Sequence, residues 1–316
     1  PAPNVWEIGA LYLLIASLLW LKKSRRAVTA IVLSASMLLA DVAYWSRERW
    51  ARQELRVTYL NVGQGDAVVI EFPGAKTLLI DAGGTATGEF DTGEAIVGPY
   101  LRSRKILKVD YLLVSHPRID HYGGMASIVR EFTPEQFWSG AAKGRTRRFQ
   151  ELDEIVDRSK VQRVSLTNEA PCRSIAGVNL CFLYPPADRN DDLSVVLQLE
   201  YGKARLLFAG DIDKRDEQLL SQRPARINSA VVKVPRHGSA LASTPEFISA
   251  VQPRLAVVSG STRNARLQKQ ELANRYHDAG AEILRTEEDG AIIITTNGND
   301  LRYETVKSGK RGQIKF

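Results

Sequence analysis

Cysteine and histidine are scarce in this chain, with 2 Cys and 4 His among 316 residues. Two cysteines exclude a disulfide-rich scaffold and a zinc module built from several thiolates. Because histidine is also rare, a metal site in this chain must include carboxylate ligands. The composition of 44% hydrophobic and 25% charged residues is that of one large globular domain or two smaller ones. The net charge of +7 is compatible with polyanionic partners but does not identify them.

The first fifty residues contain two apolar runs, 5–21 and 27–45, separated by a basic loop. Each run approaches the roughly 20 residues that a helix needs to cross a bilayer. We predict a membrane segment over residues 1–50 with two transmembrane helices; a pair of interfacial helices or a buried helical hairpin is the open alternative. Since the chain begins at Pro1 and not at Met, we expect this segment to be the end of a longer membrane region.

The loop at residues 22–26 carries four basic residues, and the positive-inside rule assigns it to the cytoplasm. The large domain would then lie on the extracytoplasmic side of the cell (inner) membrane, although four arginines between positions 47 and 56 weaken this argument. Cys172 and Cys181 flank a segment that reads as two strands around a tight turn, which would allow a disulfide. Two independent reduced core cysteines are an equally good interpretation.

From Leu55 onward, short β-branched runs alternate irregularly with helical patterns. Ten such runs between residues 55 and 296 are predicted as strands. Strands and helices mixed in this way predict an α/β fold in which helices cover the sheets. We place one large domain over residues 51–306, and we expect residues 307–316 to form a basic tail that frays.

The loop that follows Ser115 contains the densest group of possible metal ligands. His116, Asp120 and His121 come directly after an apolar strand and before the pair Gly123-Gly124. Imidazole and carboxylate groups at i, i+4 and i+5 of one loop can converge on a divalent ion. The structural alternative for each of these residues, taken alone, is a turn cap or a hydrogen-bonded group of the core.

Two further loops repeat the same design. Asp211 ends the apolar run 206–209, and His237 follows the run 231–234. Taken with the loop after Ser115, they favour a metal site over three unrelated turn residues. The fourth histidine, His277, lies inside a polar helical pattern and is predicted to be a surface residue.

Six motifs, in order and spacing, resemble the C-terminal metallo-β-lactamase-like domain of ComEC-type DNA-internalisation competence proteins. They lie at residues 60–67, 79–83, 115–124, 190–197, 209–211 and 236–239. The resemblance covers about residues 55–300 and implies an αββα sandwich with a metal centre at one edge. It further implies attachment to a membrane channel that passes one DNA strand inward, while this domain degrades the other strand. DNA, the membrane, the channel region and other DNA-uptake components are the partners that it implies.

The resemblance and the ligand pattern together assign roles to the candidate residues. The expected ligands of one or two ions, Zn²⁺ or Mn²⁺, are His116, Asp120, His121, Asp211 and His237. Asp120 is also expected to act in catalysis, and so is Asp81, which would orient the ligand loops as a hydrogen-bond acceptor. Substrate contacts are expected from Arg118, Arg236, Ser239 and Asn190, and Asp191 lies in the same loop as Asn190.

Arg118 and Arg236 depart from the pattern of the family. Arg118 stands where the superfamily has a second His and competence proteins often have Asp, and Arg236 stands where His is common. A permanent cation beside a metal weakens ion binding, whereas an arginine pair can bind a phosphodiester. The sequence leaves three functions open: a metal-dependent DNA phosphodiesterase, a catalytically lapsed domain that binds DNA or supports the channel, and a hydrolase of small esters or phosphates.

Overall fold

The computed structural model describes residues 2–20, 25–85, 90–140, 144, 146–167, 172–184, 194–260 and 266–316. The strands are β1 Leu55–Tyr59, β2 Val68–Glu71, β3 Thr77–Ile80, β4 Tyr111–Val114, β5 Gln136–Gly140, β6 Gln162–Leu166, β7 Arg173–Ile175, β8 Val178–Tyr184, β9 Val196–Tyr201, β10 Ala204–Phe208, β11 Val231–Lys233, β12 Leu255–Val258, β13 Glu282–Arg285, β14 Ile292–Thr296, β15 Asp300–Thr305 and β16 Arg311–Lys315. The α-helices are α1 Val5–Leu19, α2 Arg25–Ser46, α3 Gly98–Ser103, α4 Ile119–Tyr122, α5 Met125–Phe132, α6 Arg147–Arg158, α7 Lys214–Ser221, α8 Pro224–Ile227, α9 Pro245–Val251, α10 Arg266–Asp278 and α11 Thr286–Asp289. π-helical turns lie at Arg47–Ala51 and Gly93–Val97, and 3₁₀ turns lie at Pro73–Ala75 and Pro235–Gly238.

Within the described residues the strands form two sheets. One has the order β16-β15-β14-β1-β2-β3-β4-β5-β6, and the other has the order β13-β12-β11-β10-β9-β8-β7. Strands β3 to β6 run parallel, and so do β10 to β13. Parallel neighbours require crossover connections, and helices α3 to α10 lie in those connections. Each sheet therefore combines antiparallel hairpins with a parallel half.

Three apolar clusters show how the sheets and helices stack. The largest lies between the two sheets, where the ring of Tyr59 from β1 stacks on Phe208 from β10 at 6.0 Å. A second cluster packs Met125 of α5 and its neighbours on the outer face of the first sheet. A third packs Phe247 of α9 on the outer face of the second sheet. Two helical layers thus enclose two sheets, which confirms the predicted αββα sandwich.

The C-terminal residues belong to the first sheet. Strand β16 pairs antiparallel with β15, with Ile314 opposite Leu301, and Ile314 is 9% exposed. The Arg254 guanidinium donates to the carbonyl oxygen of Lys315 at 2.6 Å. The expectation of a frayed tail over residues 307–316 is therefore wrong, because one buried side chain and a complete strand pairing hold this segment.

Helices α1 and α2 form a hairpin. The end of the hairpin where α1 begins and α2 ends contacts the domain. The backbone N–H of Ala2 donates to the carbonyl of Arg102 at 3.2 Å, and the Lys105 ammonium pairs with Glu7 at 2.7 Å. The same ammonium lies 5.7 Å from the Trp45 ring at the end of α2. By length and composition, Arg26–Ala51 is the one described helix that could cross a membrane, whereas α1 has 15 residues. The second transmembrane helix stays a prediction.

The two cysteines are joined. Cys172, just before β7, forms a disulfide with Cys181 in β8. Of the two interpretations left open by the sequence, the structure has the bonded one.

Candidate metal centre

Loops at one end of the two sheets bring the candidate residues together. Asp81 follows β3 and His121 lies in the loop and short helix after β4, while Asp211 follows β10 and His237 follows β11. Asp66 lies in the connection from β1 to β2. Ligand sites in sheets with parallel strands form outside the carboxyl ends of those strands, and the predicted edge position is thus realised.

Four residues, Asp66, His121, Asp211 and His237, offer ligand atoms that all lie within 4.8 Å of one another. The Nε2 atom of His121 is 3.4 Å from Asp211 Oδ2, and Nε2 of His237 is 3.5 Å from Asp211 Oδ1. Asp120 reaches the same group, with its Oδ2 3.5 Å from His237 Nε2. The structure therefore brings together four of the five predicted ligands.

Several atoms of this group are buried without a hydrogen-bond partner among the described residues. They are the Nε2 atoms of His121 and His237, the Oδ1 atoms of Asp120 and Asp211, and Oδ2 of Asp66. A buried polar atom without a partner costs free energy and usually indicates an unseen ion, water or ligand. Two imidazoles and two carboxylates match the ligand chemistry of Zn²⁺ and Mn²⁺, so the residues present fit a divalent ion.

Each of the two histidines is held from behind by a carboxylate. Asp81 accepts from the Ser115 backbone N–H at 2.8 Å and lies 2.8 Å from Nδ1 of His121. Asp66 Oδ1 lies 3.3 Å from Nδ1 of His237. Carboxylates in this position fix the imidazole ring and leave Nε2 for a metal. The expected orienting role of Asp81 fits this geometry.

Asp66 lies behind the ligands even though it belongs to the four-residue group. Its Oδ2 is 2.5 Å from the Lys233 ammonium, and its Oδ1 accepts from the Ser259 hydroxyl as well as facing His237. Oδ2 has no hydrogen-bond partner by geometry but is paired with the Lys233 charge, so Asp66 is less available to an ion than the other residues of the group. The unpartnered atoms without such an adjacent ammonium belong to Asp120, His121, Asp211 and His237.

Gly65 explains why the Asp66 loop can approach the ligand loop. The Asp66 backbone N–H donates to the carbonyl oxygen of Asp120 at 3.1 Å. A Cβ atom on Gly65 would lie 2.1 Å from that oxygen, and Gly65 has φ +114, which side-chain-bearing residues rarely adopt. The glycine is thus required for the contact between the two loops.

Charge compensation shifts the pKa values of the site groups. Burial acts to raise the pKa of Asp211, but the charge of His121 holds that pKa well below its usual range. Burial acts to lower the pKa of His121, and the carboxylates of Asp81 and Asp211 hold it well above the ordinary value. Burial acts to lower the pKa of His237, but the charge of Asp66, together with other carboxylates, raises that pKa to about 9. The opposite directions of these shifts show that the histidines and carboxylates of the site compensate each other's charge.

His116 lies at the edge of this group. Its Nδ1 is 3.2 Å from the Ser194 hydroxyl, and its ring centroid is 5.7 Å from that of His121. The same hydroxyl accepts the backbone N–H of Asp211 at 2.8 Å. Burial, followed by the charge of His121, lowers the pKa of His116 to about 4. Its assignment as a metal ligand stays a prediction.

Arg118 contacts two of the expected ligands directly. Its Nη1 donates to Asp211 Oδ2 at 3.0 Å, and its Nη2 donates to Asp120 Oδ2 at 3.0 Å. The Arg118 side chain is 50% exposed, whereas that of Asp211 is 2% exposed. A permanent cation therefore bridges two carboxylates and faces solvent on its other side.

The remaining predicted contacts are placed as follows. Arg236 and His237 have φ +48 and +52, and the Arg236 N–H donates to the carbonyl of Gly210 at 3.1 Å. This unusual backbone joins the His237 loop to the Asp211 loop. The Ser239 hydroxyl accepts the backbone N–H of Leu241 at 3.3 Å and so stabilises its own turn. Asn190 and Asp191 lie outside the described residues.

Comparisons with known proteins bear on the fold and the family of this chain. Residues 60–167 match the family model of the Metallo-beta-lactamase superfamily. The chain is 30% identical to Competence protein ComA of Neisseria gonorrhoeae, over 82% of this chain and 35% of that protein. It is 25% identical to ComE operon protein 3 of Bacillus subtilis, over 76% of this chain and 33% of that protein. The chain belongs to the ComEC-type competence proteins.

The ComEC-type chain spans about a third of the length of the curated relatives it matches. Its fold is also that of a solved structure, the metallo-beta-lactamase fold protein YhfI from Bacillus subtilis. The two share 10% sequence identity with a TM-score of 0.51, covering 83% of this chain and 100% of that one. The ComEC-type domain therefore has the metallo-β-lactamase fold.

Sequence reasoning missed two residues of the ComEC-type site. Asp66 was visible only as part of a Gly-rich turn, and Lys233 only as a member of an apolar strand. A signal for Lys233 was present, because a charged residue inside the run Val231-Val232-Lys233-Val234 must find a partner if the strand is buried. That partner is Asp66, which lies 167 positions earlier in the chain, and a local pattern does not reveal it.

Proposed function

We propose that this domain is a metal-dependent phosphodiesterase that hydrolyses DNA at the surface of a membrane. The observation that carries the proposal is the convergence of buried, unpartnered ligand atoms from Asp120, His121, Asp211 and His237. A divalent ion held by these residues would supply Lewis-acid activation of water and of the phosphoryl oxygens. The choice between Zn²⁺ and Mn²⁺ is left to experiment.

The residues around that ion have separate roles. Asp120 is the more exposed of the two ligand carboxylates, with a side chain 18% exposed against 2% for Asp211, so it is the one placed to contact and orient the attacking water. Asp81 keeps Nε2 of His121 directed into the site through its contact with Nδ1. Arg118 has further N–H groups beyond the two that bond carboxylates, and these bind a non-bridging phosphate oxygen.

The choice of DNA rests on the relatives and on charge. One relative is named a competence protein, and the net charge of +7 favours a polyanionic substrate. In a DNA-uptake protein, the domain would degrade the strand that is not imported, in partnership with the membrane channel region and other uptake components. Arg236, Ser239 and Asn190 remain the proposed additional substrate contacts.

The test uses the full chain in detergent, stripped of metal and then supplied with Mn²⁺ or Zn²⁺. We expect cleavage of labelled single-stranded or double-stranded DNA that requires the added ion. His237→Ala should reduce the rate at least about 100-fold, because it removes a ligand. The control His277→Ala, at a side chain 88% exposed, should cleave like the unmodified chain. Absence of cleavage with every ion tried would contradict the proposal.

A second function, DNA binding without hydrolysis, is favoured by one observation. Arg118 already neutralises Asp120 and Asp211 and could substitute for an ion there. In that case the chain would bind DNA with a steep dependence on salt, without metal and without cleavage. Cleavage of a small phosphate ester with no action on DNA would point instead to a small-molecule hydrolase.

A further inference from the structure

We infer that the centre holds a single divalent ion and that the guanidinium of Arg118 takes the place of a second cation. The inference rests on the proposed metal-dependent function and specifies the composition of that same site. It concerns the described residues around Asp120 and Asp211, which are the carboxylates shared between the two cationic positions.

The two oxygens of each shared carboxylate differ in their contacts. The Oδ2 atoms of Asp120 and Asp211 each accept a hydrogen bond from Arg118 at 3.0 Å. The Oδ1 atoms of the same residues are buried and have no hydrogen-bond partner among the described residues. A carboxylate has enough lone pairs to serve two cations at once. Here one of the two is a side chain of the protein, and the other position is available to an ion.

The positions of the imidazole nitrogens also indicate a single metal ion. Among the described residues, the unpartnered Nε2 of His237 lies 3.5 Å from the free Oδ1 of Asp211 and 3.5 Å from Asp120 Oδ2, whereas the unpartnered Nε2 of His121 lies 3.4 Å from Asp211 Oδ2. These four residues form one group of candidate ligands around a single position. The other histidine nearby, His116, has its Nδ1 3.2 Å from the Ser194 hydroxyl. In the part of the chain that the structure describes, a second ion would have to use His116, carboxylate oxygens that Arg118 already contacts, or Asp66, whose Oδ2 lies 2.5 Å from the Lys233 ammonium.

The chemistry of arginine makes this arrangement permanent. A guanidinium does not lose its proton in a protein, so Arg118 cannot become a ligand at any accessible pH. It would also repel a dication placed near the oxygens it binds, since like charges at short range interact strongly even when screened. The site thus keeps two cationic positions but depends on metal supply for only one of them.

The experiment is metal stoichiometry of the full chain in detergent, measured by elemental analysis after equilibration with excess Mn²⁺ or Zn²⁺ and removal of free ion. We expect one ion per chain for the unmodified protein and for Arg118→Ala, which removes the cation but adds no ligand. Arg118→His and Arg118→Asp should each bind two. Arg130→His, which adds an imidazole on the exposed side of α5, is the matched control and should keep one.

Each outcome decides the inference independently of catalysis. Two ions, or none, in the unmodified chain would overturn it. A count of one in both ligand-adding variants, with circular dichroism showing that they are folded, would overturn the role of Arg118; the Asp variant serves if the His variant fails to fold. One ion per chain without DNA cleavage would uphold this inference and contradict the proposed function, whereas two ions with cleavage would do the reverse.

Discussion

At the scale of single residues, the carboxylate behind His121 offers a test of how the site is preorganised. Asp81 accepts from the Ser115 N–H and hydroxyl and contacts His121 Nδ1. In Asp81→Asn, an amide N–H₂ group replaces one of the accepting oxygens. It then faces a hydrogen-bond donor, and that hydrogen bond is lost. We expect metal affinity to fall about 10–100-fold with the number of bound ions unchanged, measured by competition with a chelator. Asp278→Asn, at a side chain 81% exposed, is the control, and equal affinity in the two variants would contradict the orienting role.

The buried ion pair between Lys233 and Asp66 makes a prediction about stability. Their side chains are 3% and 2% exposed and their charged atoms lie 2.5 Å apart. Lys233→Met leaves a buried carboxylate without its main partner, which should lower the free energy of unfolding by about 3–5 kcal/mol. Urea unfolding measures this loss. The double variant Asp66→Asn/Lys233→Met should lose less than the sum of the single variants, and strict additivity would show that the two charges do not interact.

Sequence reasoning identified residues that follow apolar strands, and it missed residues that lack this local signal. His116, Asp120 and His121 stand together in one loop, so their spacing alone predicts convergence. Asp66 and Lys233 can be recognised as partners only when the fold brings their two distant segments together. The opposite case is Arg118, whose position in a ligand motif was visible in the sequence, while its hydrogen bonds to Asp120 and Asp211 required the structure.

At the scale of elements, strands with dense apolar runs could be predicted and strands that depend on their neighbours could not. One of the ten runs predicted as strands is Val178–Tyr184, and strand β8 has the same bounds. Strand β5, Gln136–Gly140, has a mixed sequence, and its extended backbone is fixed by parallel pairing with β4 on one side and β6 on the other. Such pairing is long-range, so periodicity within five residues does not report it.

Strand β16 carries a testable consequence of the corrected C-terminal boundary. Ile314 is the buried side chain of this edge strand and belongs to the cluster between the sheets. Ile314→Ala should lower the free energy of unfolding by about 2 kcal/mol, at the lower end for buried aliphatic truncations because the site is at a sheet edge. Denaturant unfolding compares it with Lys315→Ala, which truncates an exposed neighbour and should change little. A frayed tail would predict no loss for either variant.

At the scale of the whole molecule, the hairpin and the domain meet at one small region. The chain start and the end of α2 both contact residues 102–105, so the end of α1 and the start of α2 lie at the opposite end of the hairpin. Apolar side chains along the hairpin are exposed to the surroundings, among them Leu19 at 76% and Leu39 at 69%. A long exposed apolar surface of this kind suits lipid. If the hairpin crosses a bilayer, the basic loop and the domain lie on opposite sides.

The last prediction concerns the side of the membrane on which the domain lies. Positive charge favours the cytoplasm for the loop at residues 22–26, and a Cys172–Cys181 disulfide persists in an oxidising compartment, so we expect the domain outside. Because both native cysteines are bonded, a single engineered thiol can be read without background. Lys307→Cys, an exposed position in the domain, should react with an impermeant maleimide in spheroplasts, and Ser24→Cys in the basic loop should react only after lysis. The reverse pattern would place the domain in the cytoplasm, and reaction of both before lysis would show that the hairpin does not cross the membrane.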